Sequence, residues 1–504
     1  MPIMAASKNL SEIVTAPGPV KLELARVPTT TAVTMPAKDS DPLLVTFDDP
    51  YDPENPLDWP TGRKWMVTDV LSATGFNRIL VSTIMAPALS TIASELDMNA
   101  TESAMSLSIY LLATAFGPLF IGPLSEIYGR RVVLHASNVW FLIWNVLCGF
   151  ATTKGTLIAA RFLAGFGASA IYALAGGVLG DMWRPEQRGR SLGVYLLIPL
   201  LAVAVGPVIG GFMAARTTWR WMFWATSIFQ GVMIVVAFFS FDESYGSLIL
   251  RKRADRIRKE TGNNNYYTQA ERLDGNRSAI TILGRALTRP LRLLVFHPII
   301  QVTAVLSGFN YGIMYVTIST FSDIWTSPYH QSVEISGLHY IAFSLGELAG
   351  SQVGAPLMDY WYKRQQARNP APESRIPLMF PSIVASWVGI LMYGWTAQYQ
   401  VHWSVVDIGV FIAMFGMQLG GMSTTAYVID AYGDHTSSAM AASQFFKSLM
   451  AFCFPLFAPS MYEALGYGWG NSLLALVGML LSIPLPIFLW KYGARLRAKA
   501  LSTY

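Results

Sequence analysis

Pro123-Leu124-Ser125-Glu126-Ile127-Tyr128-Gly129-Arg130-Arg131 and Pro356-Leu357-Met358-Asp359-Tyr360-Trp361-Tyr362-Lys363-Arg364 share one pattern. A Pro-Leu pair is followed at fixed spacing by a carboxylate and then by a basic pair. Each segment closes a long apolar run, and each of those runs is the second in a series of six. The repetition points to a duplicated chain. Parallel six-helix repeats related by an axis along the membrane normal are one way transporters are built, with the substrate site near the midplane between the halves.

The runs around these segments set the fold class. A helix needs about twenty apolar residues to cross a bilayer, because backbone groups cannot stay unpaired in hydrocarbon. Such runs fall near 64–89, 103–124, 132–151, 157–181, 190–214 and 219–241, and again near 293–321, 335–359, 376–397, 403–430, 437–463 and 469–491. The expectation is an all-α membrane protein with twelve transmembrane helices in two six-helix pseudo-repeats. Its parts are a disordered cytoplasmic segment (1–60), a first bundle (61–241), a cytoplasmic central loop (242–292), a second bundle (293–492) and a tail (493–504). Composition agrees: the chain is 53% hydrophobic and 13% charged, too few charges to cover a soluble globule of 504 residues.

The 36 Lys and Arg fix the orientation. On this map thirty fall in the N-terminal segment, the gaps after helices two, four, six and eight, and the tail. Only Lys154, Arg216 and Arg220 lie on the other side, and Arg78, Arg161 and Lys447 lie inside runs. By the positive-inside rule both termini and the central loop are cytoplasmic. The net charge of +5 is therefore spread along the inner membrane face and predicts no nucleic-acid partner. The basic stretch Arg251-Lys252-Arg253 predicts a short cytoplasmic helix, either a topology signal or a lipid-headgroup contact.

Other features bound the chemistry. Cys148 and Cys453 sit in apolar runs and read as core residues, with no disulfide framework and no metal set. No cofactor is predicted, since a Gly-x-Ser-x-Gly elbow, a His-rich cluster and a phosphate-binding loop are all missing, and neither an enzyme nor an ATP-driven pump is expected. Asn99-Ala100-Thr101 in the first outer gap is a glycosylation sequon, while Asn276-Arg277-Ser278 falls on the cytoplasmic side and is expected to stay bare.

Four segments, in order, carry a family resemblance. Gly122 to Arg131 resembles the signature loop of the major facilitator superfamily, and Arg161-Phe-Leu-Ala-Gly-Phe-Gly167 resembles its helix-four motif. Gly206-Pro207-Val-Ile-Gly210-Gly211 resembles the motif of its proton-driven antiporters. Asp52-Pro-Glu-Asn-Pro-Leu-Asp-Trp-Pro60 resembles the lead-in of fungal members, so the chain is similar to the fungal twelve-spanner drug:proton antiporter branch. The resemblance implies that Gly122, Glu126, Gly129, Arg130 and Arg131, with Asp359, Lys363 and Arg364 in the repeat, form a charge latch between the bundles, against the plainer reading of a solvated loop. It implies proton coupling at Arg161, where snorkelling is the alternative, and a bend in helix five that limits proton leak, where close packing is the alternative.

Polar residues inside the runs nominate a binding cavity: Asn77, Arg78, Asn310, Tyr311, Tyr315, Glu347, Gln418, Gln444 and Lys447. Glu347 lies near mid-membrane and reads either as a proton or cation site or as half of a structural pair with Arg78 or Lys447. His339, Asp323 and Asp407 read as interfacial. Two buried cations against one deep carboxylate argue against a polyamine cargo, and plentiful aromatic and methionine side chains suit an adaptable pocket. The expected protein is a monomeric, proton-coupled exporter of a small amphipathic drug, toxin or secondary metabolite in the plasma membrane. A proton-coupled importer of an organic acid, polyamine, vitamin or siderophore, or a non-transporting nutrient sensor, would share the same sequence features.

Overall fold

The computed structural model describes residues 41–274, 279–366, 371–432 and 436–501. The sequon at Asn276 lies outside the described residues. Ten described helical stretches are long and apolar enough to cross a membrane. One of them, Ser438–Ala498, holds two passes, divided where Gly466 turns the chain with φ of +68°. A further long helix, Val333–Gln366, carries Glu334, Glu347, Asp359, Lys363 and Arg364, which lower its apolarity. Twelve passes result, and the fold is all-helical across two halves.

In the first half, span 1 (Thr61–Glu95) bends through a short 3-10 turn at Ala86–Ala88, and span 2 (Ala100–Tyr128) begins at a capping box. There the Asn99 side chain accepts the Glu102 N–H at 2.8 Å, and Glu102 returns the bond to Asn99 N–H at 3.0 Å. The sequon asparagine is thus the cap of a membrane helix. Spans 3 to 6 are Arg130–Gly149, Lys154–Met182, Pro185–Arg216 and Arg220–Ser240. Gly129 joins spans 2 and 3 with φ of +97°, and a Cβ there would meet Glu243 Oε2 at 2.2 Å. Only glycine suits that corner.

The second half comprises span 7 (Pro298–Thr326), span 8 (Val333–Gln366), span 9 (Pro372–Gln398), span 10 (Trp403–Tyr432) and spans 11 and 12 within Thr436–Ser482 and Pro484–Leu501. The last helix runs past the expected boundary at 492. Its run of Ala and Leu favours helix, and Arg497 anchors it to Glu373 at 2.8 Å.

The expected disorder of the N-terminal segment needs a correction. Residues 41–60 are not free chain but a strap folded against the central loop. Val45 N–H donates to Tyr267 O at 2.8 Å, and Tyr267 N–H donates to Leu43 O at 3.0 Å. Arg253, on the central-loop helix Gly246–Thr261, pairs with both Asp48 and Asp52 at 2.6 Å. Asp52 is 1% exposed. Its acids and prolines suggested disorder, yet the acids are neutralised by partners about two hundred positions away. Burial alone would raise the Asp52 carboxyl, but the N–H groups of Asp48 and Glu54 and the Arg253 guanidinium hold it below the usual carboxylate value.

A group held low in the folded state stabilises the docked strap above its ordinary pKa, and that contribution disappears as pH falls through the lower, docked value. Asp52→Asn should cost about 1 to 2 kcal/mol of docking at neutral pH, the order expected for hydrogen bonds to a charged group. Hydrogen exchange of residues 43–59 and of the 246–261 helix measures it, and unchanged protection would refute the strap.

Candidate functional site

The halves are fastened together at the end where span 5 closes and span 8 begins. Span 5 meets span 8 so closely that a Cβ on Gly211 would lie 2.8 Å from Val333 O, and one on Gly337 would lie 2.7 Å from Pro207 O. On the neighbouring contact, Gly210 faces Ile84 O of span 1 at 1.8 Å from its would-be Cβ. Arg216 pairs with Glu334 across the same seam, and Ser322 Oγ donates to Pro87 O at 3.3 Å. The Gly206–Gly211 motif is therefore the point where three spans converge without room for side chains.

At the opposite ends the latch arginines are occupied within the first half and the loop that follows it. Arg130 Nε bonds Asp181 at 3.3 Å, and its guanidinium also donates to Ser125 Oγ. The backbone N–H groups of Arg130 and Arg131 donate to the two oxygens of Glu243 at 2.9 and 3.3 Å. Arg131 and Arg63 share Asp242. Glu126 is exposed, and Gly122 lies in open space on the last turns of span 2. In the repeat, Arg364 reaches Tyr360 Oη at 3.5 Å, while the side chains of Asp359 and Lys363 lie outside the described residues. Asp181, Asp242 and Glu243 were not singled out from sequence. The Asp-Glu pair at the end of span 6, facing an Arg-Arg pair, was the available signal.

Deep in the first half, Arg161 is fully buried and surrounded by carbonyls. It donates to Val81 O at 2.9 Å, Ser106 O at 3.2 Å and Leu107 O at 3.4 Å, and its guanidinium carbon lies 4.5 Å from the Tyr110 ring centre. It does not snorkel. Arg78 is likewise engaged, donating to Gly167 O and Asn138 Oδ1 over the Phe141 ring. Asn77 donates to Thr226 O and Gln230 Oε1 at 3.1 Å, between spans 1 and 6. Both residues tie helices together and are closed off from the remaining candidates.

Those remaining candidates converge between the halves. Tyr311 and Tyr315 stack edge to face at 5.2 Å on span 7, and Tyr315 is within electrostatic reach of both Glu347 and Arg161. Glu347 is 7% exposed, its Oε2 is buried, and among the described residues it forms no hydrogen bond or ion pair. It lies fourteen residues into span 8, about 21 Å from the outer end at helical rise. The close packing of Gly346 and Gly350 on Phe411, Met414 and Phe415 of span 10 holds it there. On span 11, Gln444 Nε2 bonds Ser448 Oγ at 3.1 Å, which meets Thr114 Oγ1 of span 2 at 3.0 Å. Lys447 lies on the same turn, about 16 Å from the inner start of its helix, deep but partly accessible, as are Asn310 and Gln418. Neither Arg78 nor Lys447 pairs with Glu347.

Three tyrosines of the first half complete this region and were missed from sequence. Tyr172 is 42% exposed although it sits in span 4 within reach of Tyr110, Tyr195, Tyr315 and Arg78, so it faces an interior cavity and not lipid. His339, near the outer end of span 8, is stacked 3.6 Å from Trp325 and bonded to Asp407 and Gln331 at 2.8 Å, a closed structural cluster. No group of three His, Cys, Asp or Glu suited to a metal occurs among the described residues.

A polar region at mid-membrane between two six-helix halves, closed at the end where spans 5 and 8 meet, defines a secondary transporter of the alternating-access kind. The chain belongs to the Major Facilitator Superfamily, whose family model matches residues 71–455. It is 52% identical over 424 residues to a probable efflux pump, mfs2, of Aspergillus flavus, covering 84% of this chain and all of that protein. The efflux pump vrtL of Penicillium aethiopicum is 45% identical over 466 residues, 91% of each chain. The fold matches the xylose transporter XylE from E. coli in a partially occluded inward-open conformation with a TM-score of 0.62 at 14% identity, over 86% of this chain and 98% of that one.

The outer seam gives a direct test. Gly211→Val should keep spans 5 and 8 apart at their outer ends, because its side chain would collide with the Val333 carbonyl. A cysteine placed at Ser336 should become reactive to impermeant thiol reagents from outside, with transport falling at least tenfold. An unchanged labelling rate would contradict the seam.

Proposed function

We propose that this transporter exports a small amphipathic organic molecule, a drug, toxin or secondary metabolite, across the plasma membrane in exchange for protons, as a monomer with both termini in the cytoplasm. The observation that carries the proton coupling is Glu347, a carboxylate buried at mid-membrane with no protein partner. A charged carboxylate left unpaired in a low-dielectric interior is costly, and taking up a proton removes that cost. The names of the relatives support the export direction.

Arg161 positions the first half of the relay: by holding spans 1, 2 and 4 through three carbonyls it keeps its charge beside Tyr110 and Tyr315, opposite Glu347. The Gly206-Pro207 and Gly210-Gly211 contacts close the outer path while protons and cargo exchange on the inner side. Return to the outward state requires Arg130 and Arg131 to exchange Glu243, Asp181 and Asp242 for partners in the other half, with Asp359, Lys363 and Arg364 as the repeat's counterparts. Asn310, Gln418, Gln444 and Lys447 supply polar contacts to the cargo, and Asn77 and Arg78 act through the packing of spans 1, 3, 4 and 6. Asn99 is exposed and open to glycosylation as a helix cap.

Glu347→Gln should abolish the pH-gradient dependence of cargo uptake into inside-out vesicles, while cargo exchange without a gradient persists. Proton-driven flux equal to wild type would remove Glu347 from the coupling step.

A further inference from the structure

The cavity's lining has a chemistry more specific than amphipathic. Tyr172 from the first half and Tyr311 and Tyr315 from the second lie within electrostatic reach of one another, with Tyr195 beside Tyr172, while Tyr110 is buried with its ring against Arg161. Aromatic faces from both halves can hold a flat ring, and the tyrosine hydroxyls donate and accept along its edge. The buried and unpartnered carboxylate of Glu347 lies within electrostatic reach of Tyr311 and Tyr315. From span 11 the groups on this level are Lys447 and Gln444, from span 10 Gln418 with the apolar Phe411, Met414 and Phe415, and from the first half Arg161 behind Tyr315.

Resting on the exporter reading, we infer that the site selects hydroxylated aromatic molecules, whose phenol O–H donates a hydrogen bond to the Glu347 carboxylate while the ring lies among the tyrosines. A proton on Glu347 removes the charge that strengthens this bond and leaves only the weaker acceptance of a neutral carboxyl oxygen. Cargo and proton therefore compete for one oxygen pair, which is what exchange transport needs, and no net charge enters with a neutral phenol.

The proposal can be tested on the purified full chain in lipid nanodiscs with two fluorescent probes of nearly equal shape, 1-naphthol and 1-methoxynaphthalene. Naphthol is expected to bind about tenfold more tightly than the ether near neutral pH, the scale of one hydrogen bond to a charged group. Its affinity should fall on acidification, while the ether's stays level. Glu347→Gln should erase both the preference and the pH dependence, and Tyr311→Phe, which keeps the ring, should reduce the preference without removing ether binding. Equal affinities, pH-independent naphthol binding, or no binding of either probe would overturn the proposal. If proton-driven efflux of the ether still depends on Glu347 while no phenol preference exists, the exporter reading stands and only the selectivity fails. If efflux ignores the proton gradient, the exporter reading itself fails.

Discussion

Hydrocarbon offers no partners, so every polar group carried into the bilayer must find one inside the protein or cost several kcal/mol. Three carbonyls from two spans receive the guanidinium of Arg161, and Asn145 spends its amide on Phe223 O, Thr226 and Ser227. These bonds fix the first half as one body. The Glu373 and Asp407 carboxylates follow the same rule through Arg497 and His339. Glu347 and Lys447 depart from it among the described residues, and departures at mid-membrane between two rigid bodies mark a place where something from outside the chain is accommodated.

The geometry around that place follows from residue size. Where the halves touch, at Gly211 and Gly337, side chains are missing and backbones meet. Where they part, tyrosines fill the lining. A seam of glycine on one side and large amphipathic rings on the other gives the two halves a pivot and a mouth, and rocking about the pivot exchanges which mouth is open. The seam's ion pair, Arg216 with Glu334, adds little by itself because Arg216 is largely solvated.

Much of this was legible in the order of residues. Helix number and the two-fold repeat follow from apolar runs and the repeated loop segments, and the glycines of span 5 stood out as more numerous than a simple rod requires. Side-chain facing was not legible. Asn77 and Arg78 looked like cavity residues because a polar side chain inside a run is conspicuous, but nothing along span 1 says whether it points to a neighbour or to the cavity. Tyr172 and Tyr195 escaped notice for the opposite reason, since tyrosine is unremarkable in an aromatic-rich chain until two halves bring several together. The strap escaped because Asp52 and its countercharge Arg253 are separated by 201 positions, and local composition carries no record of such a pairing.

The strap also alters the polymer physics of the link between the halves. On paper the two bundles are joined by some fifty residues, a loose leash. With the Gly246–Thr261 helix pinned to residues 43–59, the leash begins further along the chain, and the entropic penalty of keeping the bundles adjacent shrinks, by about 0.6 kcal/mol for each halving of length. The N-terminus thus serves the partnership of the two bundles by taking in slack.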